Sequence, residues 1–268
     1  PRQYDCLQTS VCPIIDGNIE DSVWNKAAWS DDFVDIADAP KPYRQTKVKI
    51  LWDKDWLYIA AYLEEPDLWA TLEARDAIIY YDHDFEIFID PDGDTHNYLE
   101  LEVNALNTIF DLMLVKPYRN GGPMVIAWDL ATLKSAVQLK GTLNNPSDRD
   151  SCWTVEMAIP MRHLIFDQKR NFPKAGDRWY INFSRVHWEL EVKNGQYQKK
   201  IDPKTGRRLP ENNWVWSPQG IINMHCPEKW GYLNFADSLG KHINTDLEGE
   251  ELKWILRQLY ERQMAFYK

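Results

Sequence analysis

The sequence lacks the features that mark several large classes of protein. No apolar run approaches the ~20 residues that a membrane-spanning helix needs. Basic residues are scarce, since 31 Lys and Arg stand against 41 Asp and Glu and leave a formal net charge of -10. Nucleic acids and anionic membrane surfaces are bound by clustered Lys and Arg, so we expect neither as a partner.

The common metal-binding and haem-attachment motifs are also missing. The four cysteines form no CxxC or CxxCH motif, and the six histidines form no HExxH motif. A zinc knuckle and covalently attached haem are therefore not expected. Cys6 and Cys12 are close enough in sequence to form a disulfide, whereas Cys152 precedes a strand-like run and is expected to be a buried small hydrophobic residue.

Strict alternation of apolar and polar residues is the dominant pattern. In "DFEIFID", Phe85, Ile87 and Ile89 share one face of a strand, while Glu86 and Phe88 share the other. This period is typical of antiparallel sheets with one buried and one solvated face, and many short strands favour a β-sandwich. The predicted strands are 46–52, 56–63, 84–90, 97–104, 108–115, 152–160, 178–186 and 230–236.

Helical patterns are few. Residues 20–29 and 161–166 predict short helices. From about Glu250, apolar residues recur at helical spacing, which predicts a C-terminal amphipathic helix that packs back on the sandwich. The residues that carry this pattern are Leu252, Ile255, Leu256, Leu259, Tyr260, Met264 and Tyr267.

The chain shows no internal repeat and no linker within the strand-rich part. We therefore predict an N-terminal segment at 1–13, one sandwich domain at 14–236 and a helical extension at 237–268.

Carboxylates on the polar faces of the strands are the first candidates for function. Glu86, Glu100, Glu102 and Glu156 occupy such positions. Two carboxylates about 5–10 Å apart can hydrolyse a glycosidic bond, so a glycoside hydrolase using Glu86 and Glu102 is one alternative. Ionised carboxylates also accept hydrogen bonds from sugar hydroxyls, and the 13 Trp and 13 Tyr supply rings on which sugars stack. An acidic groove lined with such rings suits a neutral polyol, which is the interpretation we favour.

Two acidic clusters suggest calcium. Asp90, Asp92 and Asp94 surround the glycine of "DPDGD", and closely spaced carboxylates are the hard oxygen ligands that Ca²⁺ prefers. Asp16 and Glu20 lie in a second cluster, "DGNIED", near a helix start, where acids are also favoured by the helix dipole. The alternative for both is a solvated turn.

The stretch "WVWSPQGIINMHCPEKWG" at 214–231 fits no regular element. Met224 or His225 could ligate haem iron, although an axial pair would need a second ligand from elsewhere. A Cys226 nucleophile paired with His225 is geometrically poor, because neighbours in sequence rarely face each other. An aromatic platform for a flat ligand is the remaining interpretation.

Six motifs, taken in order, resemble the family 9 carbohydrate-binding modules. They are "IDGNIEDSVWNKA", "TKVKILWDKDWLYIAAYLEEPD", "DHDFEIFIDPDGDTHNYLELEVN", "WTVEMAIP", "GDRWYINFSRV" and "PEKWGYLNF". The resemblance extends from about Ile14 to Phe235, and the last third of the chain is similar to a Bacteroidetes subgroup of secreted family-9-like proteins. The resemblance implies a jelly-roll-like β-sandwich, sugar binding, often a structural calcium, and frequent association with polysaccharide-degrading enzymes, and the C-terminal amphipathic helix predicted above follows this sandwich.

The family clamps a sugar between two Trp rings, with a strand Glu and a loop Asp among the hydrogen-bonding groups. The resemblance places the strand Glu at Glu86, the loop acid at Glu65 and the first ring at Tyr80 with Tyr81 beside it. Glu102 stands where the family has arginine, and Met224 stands where it has the second Trp. Asn182, Ser184 and Arg185 stand where the family has amides, and the missing ring is expected from Trp214, Trp216, Trp188 or Trp69.

The sequence thus predicts an extracytoplasmic protein, with its signal peptide removed, that binds a poly- or oligosaccharide. No organic cofactor is expected. Two alternatives stay open: the glycoside hydrolase described above, and a haem- or small-ligand-binding sandwich of the DOMON type, which shares the fold class.

Overall fold

A computed structural model describes residues 1–38, 40–165, 172–237 and 247–267 of the chain. Its strands are β1 Gln3–Gln8, β2 Val34–Asp35, β3 Thr46–Trp52, β4 Trp56–Glu64, β5 Asp84–Asp90, β6 Tyr98–Asn104, β7 Ile109–Leu114, β8 Met124–Val125, β9 Lys134–Lys140, β10 Cys152–Pro160, β11 Arg178–His187, β12 Leu190–Lys193, β13 Gln196–Lys199, β14 Asn212–Val215 and β15 Gly231–Ala236. Its one described α-helix is α1 Leu247–Phe266, and 3-10 turns lie at Ser22–Lys26, Ile79–Tyr81, Tyr118–Asn120, Met161–His163 and Pro227–Lys229.

The all-β sandwich predicted from the alternating pattern is confirmed. Each of the eight predicted segments forms a strand, with ends that differ by at most one residue. The main sheet runs in the order β8-β7-β6-β5-β11-β15-β1-β3-β4-β10-β9, with β14 and β2 attached to β11. The strands β12 and β13 form a separate hairpin.

The first strand differs from the antiparallel pattern of the others. β1 lies between β15 and β3 and is parallel to both, so the sheet is mixed. Tyr4 and Cys6 on this strand are buried in the core. The boundary drawn at residue 14 therefore does not separate the first residues from the sandwich, which includes Gln3–Gln8.

The sheet curls so that its two halves share one core. Ile50, Ile59 and Met157 from one half belong to the same buried cluster as Ile87 and Phe183 from the other half. Because neighbouring side chains on a strand alternate between faces, the remaining residues of β5, β6 and β11 point to the outer face. Part of that face has its own apolar cluster, built around Phe88, Tyr98 and Trp230.

A buried carboxylate fastens the N-terminal loop to this framework. Glu156 accepts hydrogen bonds from the indole Nε1 of Trp24 at 2.6 Å and from the amides of Asp16 and Gly17 at 3.0 and 2.8 Å. The helix predicted at 20–29 is only the 3-10 turn Ser22–Lys26. Likewise, the second predicted short helix is the turn Met161–His163, and its last residue, 166, lies outside the described residues.

All four cysteines are free. Cys6 is fully buried and Cys12 is exposed, so the disulfide considered for this pair does not form. Cys152 is buried, as predicted.

The C-terminal helix forms, but the expected packing of its apolar face does not. Leu252, Ile255 and Leu259 are each more than half exposed. The described helix approaches the sandwich through polar groups instead: the Tyr260 hydroxyl donates to Asn120 Oδ1 at 2.8 Å, and the Arg257 guanidinium lies near the carbonyl oxygens of Glu228 and Gly93. Residues 238–246, at the start of the predicted extension, lie outside the described residues. Among the described helices, none has the length and apolar character needed to cross a membrane.

Candidate functional site

The outer face carries a row of polar side chains on three adjacent strands. Glu102 on β6 pairs with Glu86 on β5, and Glu86 pairs with Ser184 on β11. Neighbouring strands are about 4.8 Å apart, so this register places the three side chains side by side. Asp84 lies two residues before Glu86 on β5, and Glu100 lies two residues before Glu102 on β6. Both are therefore on the same face of the sheet.

These carboxylates are buried, and burial changes their acidity. Glu86, Glu100 and Glu102 are at most 6% exposed, and Asp84 is fully buried. Burial is the main reason that the pKa of Glu86 rises to about 7, while the nearby Ser184 hydroxyl opposes that rise. Burial, followed by the negative charges of Asp84, Glu100 and Glu86, raises the pKa of Glu102 well above its usual range. The row therefore holds protons more tightly than ordinary carboxylates do.

Three oxygen atoms of this cluster lack a hydrogen-bond partner of acceptable geometry within the part of the chain that the structure describes. They are Asp84 Oδ2, Glu86 Oε2 and the hydroxyl oxygen of Ser184. Asp84 Oδ1 accepts only the amide of Val186, at 3.1 Å. Most buried polar atoms in proteins are hydrogen-bonded, so such orphans mark a place where a ligand can bind.

Two tyrosines lie at one end of the cluster. The backbone amide of Tyr80 donates to Glu102 Oε2 at 3.0 Å, which fixes the 3-10 turn Ile79–Tyr81 over the end of the row. The rings of Tyr80 and Tyr81 are 4.4 Å apart, and Tyr81 is 46% exposed. An exposed ring is therefore available beside the carboxylates.

A third tyrosine lies at the opposite end. Tyr118 is 43% exposed, and its ring centroid is 4.3 Å from that of His225. Burial, followed by the negative charges of Glu100 and Glu102, raises the pKa of Tyr118 to about 12. Glu100 precedes Glu102 on β6, and Tyr80, which is next to Tyr81, contacts Glu102. Tyr81 and Tyr118 therefore lie on either side of the carboxylates along the strand.

Two further rings extend the Tyr81 end. Trp69 and Trp188 pack together in a small cluster against which Tyr80 lies, and the Trp188 indole donates to the Tyr80 carbonyl at 2.9 Å. The ammonium group of Lys199, from β13, is 3.4 Å from the centroid of Trp188 and 5.2 Å from that of Tyr81. Burial is the main reason that the pKa of Lys199 falls to about 8.

A second polar cluster is formed where side chains of the same sheet point to the inner face, at the end of that face. Arg185 donates to Glu65 Oε2 at 2.8 Å, and the Nδ1 atoms of His83 and His187 lie 3.1 and 3.2 Å from the same oxygen. All four side chains are buried. Burial opposes ionisation of Glu65, but His83, His187 and Arg185 together hold its pKa well below the usual range. Burial lowers the pKa of His187 to about 3.

A cavity of about 300 Å³ opens beside this second cluster. Its lining includes Tyr43, Arg44 and Trp188. Trp214 stacks on His187 at 4.8 Å with an interplanar angle of 17° and belongs to the wall behind the cluster. Because Arg185 already pairs with Glu65, this cluster is internally neutralised.

The structure thus divides the residues predicted from sequence. It brings together Glu86, Glu102, Tyr80 and Tyr81, and it places Glu65, Arg185 and Trp214 in the second cluster. Asn182 lies on the outer face, where its side chain bonds the amide and carbonyl of Ser217, both at 2.9 Å.

Of two other predicted residues, Trp216 is buried in the inner core, whereas Met224 is partly buried against the outer apolar cluster. Trp216 is 1% exposed and meets Phe183 edge-on in the inner core. Met224 packs against the outer apolar cluster, with its sulfur 3.2 Å from Gln219 Nε2.

The candidate calcium turn keeps its acidic side chains close. One oxygen from each of Asp90, Asp92 and Asp94 lies within 4.8 Å of the others. Asp90 is buried and accepts the amides of Gly93 and Thr95 at 2.9 and 2.8 Å. A set of three carboxylates fits the hard-oxygen preference of Ca²⁺.

The second acidic cluster has a different arrangement. Asp16 Oδ1 accepts the amide of Asn18 at 2.9 Å. Within the part of the chain that the structure describes, neither Asp16 nor Glu20 joins a group of three acidic, Cys or His side chains with ligand atoms within 4.8 Å. The hydrogen bonds to Glu156 described above account for the shape of this loop.

Some site residues were missed by the sequence reasoning. Tyr118 lies on a 3-10 turn, which no periodicity signals, and Lys199 ends the short strand β13, which lies outside the predicted strands. His187 had a usable signal, since the inward-facing phase of β11 continues from Phe183 through Arg185 to His187. His83 directly precedes β5, in phase with the inward-facing Phe85 and Ile87.

One known protein family matches the greater part of this chain. Residues 15–200 match the family described as carbohydrate family 9 binding domain-like. A search of curated protein sequences finds no significant match.

Solved structures with a similar fold include three proteins of low sequence identity. A family 9 carbohydrate-binding module from Caldicellulosiruptor kristjanssonii in complex with cellotriose has a TM-score of 0.56 at 18% identity, covering 92% of this chain and 98% of that one. A family 9 module from the same organism in complex with glucose has a TM-score of 0.54 at 18% identity, covering 92% of this chain and 98% of that one. A candidate carbohydrate-binding protein from Bacteroides uniformis has a TM-score of 0.62 at 16% identity, covering 87% of this chain and 99% of that one.

These likenesses agree on the fold, and the family match covers more than half of the chain, including β5, β6 and β11 of the carboxylate row. The chain therefore belongs to the carbohydrate family 9 binding domain-like proteins.

Proposed function

We propose that this protein binds carbohydrate without cleaving it, and that the sugar binds on the outer face over Glu86 and Glu102. Family membership and the sugar complexes of the similar modules support this class of ligand. The observation that carries the position of the site is the set of unpartnered oxygen atoms between two exposed tyrosines, Tyr81 and Tyr118.

The chemistry of the face suits a neutral sugar. Hydroxyl groups donate to the carboxylates, and a charged acceptor makes such hydrogen bonds shorter and stronger. The C–H faces of the sugar ring stack on tyrosine, which combines a broad apolar surface with a polar tip. Burial of Glu86 excludes water from its carboxylate, which makes a hydrogen bond from a sugar more favourable than it would be in solvent.

The outer face offers unsatisfied acceptors for sugar hydroxyls, whereas the unsatisfied atoms at the cavity beside Glu65 are nitrogens, namely Arg44 Nε, His83 Nδ1 and Arg185 Nε. There, Glu65 Oε2 already accepts from Arg185, and Glu65 Oε1 accepts the amide of Asp67 at 3.1 Å. On the outer face, Asp84 and Glu86 each retain a free oxygen. Unsatisfied acceptors gain more from a new donor than satisfied ones do.

A binding and turnover experiment tests the class of function. The full chain is titrated calorimetrically with glucose, cellotriose and a panel of plant and host oligosaccharides, and each mixture is then assayed for newly formed reducing ends. We expect at least one saccharide to bind and no reducing ends to form. Release of reducing ends that Glu86→Gln abolishes would contradict a non-catalytic role.

Three further parts of the proposal accompany sugar binding. Asp90, Asp92 and Asp94 would hold a structural Ca²⁺, for which their three carboxylates are suited. The protein would work outside the cytoplasm, where polysaccharides are encountered. It would act alongside polysaccharide-degrading enzymes by holding their substrate.

A further inference from the structure

Four clusters of acidic or histidine side chains in the described chain place their ligand atoms within 4.8 Å of one another. Three of them have positively charged or hydrogen-bonding partners. Arg75 donates to both Asp111 and Asp129. The Glu65 cluster contains Arg185, and Asp90 accepts two backbone amides.

The fourth cluster, Asp84, Glu86 and Glu102, also accepts two backbone amides, but it keeps two buried carboxylate oxygens that have no hydrogen-bond partner among the described residues. Among the described residues, no Lys or Arg forms an ion pair with any of these three carboxylates, whereas the other buried pairs are found. Glu100 adds a fourth buried carboxyl group next to Glu102. Buried charges are normally paired or bound to a metal, because isolation from water is costly.

Unpartnered atoms point into the same place. Asp84 Oδ2 and Glu86 Oε2 are buried and make no hydrogen bond. The Ser184 hydroxyl is fully buried and lies directly opposite Glu86 in the ladder, close enough to lower the pKa of Glu86, but it makes no hydrogen bond of acceptable geometry with any described residue. An unsatisfied hydroxyl beside unsatisfied carboxylate oxygens is a second sign, besides the negative charge of the cluster, that this place can hold a ligand.

The spacing fits one ion. Calcium–oxygen distances are about 2.3–2.6 Å, so two oxygens on opposite sides of a Ca²⁺ are about 4.6–5.2 Å apart. The carboxylate oxygens of Asp84, Glu86 and Glu102 all lie within 4.8 Å of one another, so a single ion can contact all three. The donors are all hard oxygens, with no sulfur or imidazole among them, which favours Ca²⁺ over softer transition metals.

We propose that Asp84, Glu86 and Glu102, together with the Ser184 hydroxyl, bind a hard divalent cation of the Ca²⁺ type. Its charge offsets two of the three negative charges, and it provides a partner for the free oxygens of Asp84 and Glu86. Ca²⁺ takes about six to eight oxygen ligands, so positions remain for water or for a sugar hydroxyl between Tyr81 and Tyr118. Only this last role, as a contact for the sugar, rests on the proposed function.

Calorimetric titration with CaCl₂ tests the site without any sugar. The full-length Asp92→Asn variant is treated with EDTA and dialysed; it has one negative charge fewer at the Asp90 turn, which weakens cation binding there, and it leaves the Asp84 cluster intact. We expect this protein to bind Ca²⁺. Adding Glu86→Gln should weaken that binding at least tenfold, and adding Asp84→Asn should do the same, while far-UV circular dichroism shows that each variant is folded. Both replacements keep the shape of the side chain and remove one charge.

Two results would overturn the cation site. One is that the Asp92→Asn protein binds no Ca²⁺, and the other is that it binds Ca²⁺ equally well after Glu86→Gln and after Asp84→Asn. Failure of the two proposals is distinguishable. A protein that binds Ca²⁺ at this site but no saccharide contradicts the proposed function alone, and one that binds a saccharide but no Ca²⁺ contradicts the cation site alone.

Discussion

Glu86 and Glu102 lie directly opposite each other on adjacent antiparallel strands, and both carboxylates are at least 95% buried. Like charges directly opposite across a ladder are destabilising. A protein that keeps such a pair accepts a cost in stability, which is typical of functional sites rather than of a core optimised for packing. Because the pair lies between two exposed tyrosines, we attribute this cost to ligand binding.

Removing one of these charges should stabilise the metal-free protein. We expect Glu102→Gln to raise the melting temperature in EDTA at pH 8, with a gain of about 1–3 kcal/mol in unfolding free energy, because a neutral isostere removes both repulsion and charge burial. The glutamine carbonyl still accepts the Tyr80 amide. Differential scanning calorimetry measures the change, and the exposed replacement Glu191→Gln serves as the control with no expected shift. A lower melting temperature for Glu102→Gln would show that its charge is compensated.

Breaking the Glu65–Arg185 pair should have the opposite effect. Arg185→Met leaves a buried carboxylate without its cation, so we expect a loss of about 3–5 kcal/mol in unfolding free energy. The double variant Glu65→Gln, Arg185→Met should recover part of the loss, since both charges are then absent. Urea denaturation measures all three variants, and strictly additive losses would argue against the coupling.

The same cluster predicts a loss of stability in acid. Burial holds the pKa of His187 near 3, below its ordinary value of about 6.5. Between these values the unfolded chain binds a proton that the folded chain does not, so unfolding free energy falls as pH drops from about 6.5 toward 3. The low pKa of Glu65 acts in the same direction at lower pH.

Replacing the imidazole isolates its share of that effect. His187→Phe keeps an aromatic ring against Trp214 and removes the titrating group, while Glu65, His83 and Arg185 still face the position. We expect the variant to lose less stability between pH 6.5 and 4.5 than the original protein, by up to roughly 1.4 kcal/mol per pH unit for one proton. Parallel urea midpoints at each pH provide the measurement, and equal slopes would mean that His187 does not control the acid response.

The C-terminal helix should contribute little to the stability of the sandwich. Its described apolar residues are exposed, and its described contacts with the sandwich are made by Arg257, Tyr260 and Lys253. We expect deletion of residues 247–268 to change the melting temperature by less than about 2–4 °C, the shift that 1 kcal/mol produces in a protein of this size. A larger decrease would show that the helix packs more tightly than its exposed side chains indicate.

The strands were predictable because each carries its own period-two pattern, which one face of a sheet dictates. The strand β1 was missed because "QYDCLQ" is short and half polar, and its pairing with β15 and β3 is a tertiary feature. The C-terminal helix was predicted from the spacing of its apolar residues. The packing of its apolar face depends on tertiary structure, which this spacing does not predict.

The site was predictable only in part for the same reason. Alternation placed Glu86 and Glu102 on one face, and the pairing of their strands made them neighbours. Glu65 and Arg185, by contrast, are 120 residues apart in sequence. Their assignment to the same sugar groove followed from resemblance, whereas the phase of β11 turns Arg185 inward, away from Ser184. Tyr118 lies on a turn whose position depends on β7 and β8, so no local pattern signalled it.

The most direct test of the account compares two tyrosines of similar exposure, Tyr81 on the outer face and Tyr43 at the cavity, which are 46% and 49% exposed. The measurement is the calorimetric affinity for the best saccharide of the panel in the original protein, Tyr81→Ala and Tyr43→Ala. The account predicts that Tyr81→Ala weakens binding by about 1–3 kcal/mol, the loss typical of an aromatic anchor, and that Tyr43→Ala leaves it unchanged. Unchanged affinity in Tyr81→Ala together with a loss in Tyr43→Ala would contradict the account and place the sugar in the cavity beside Glu65.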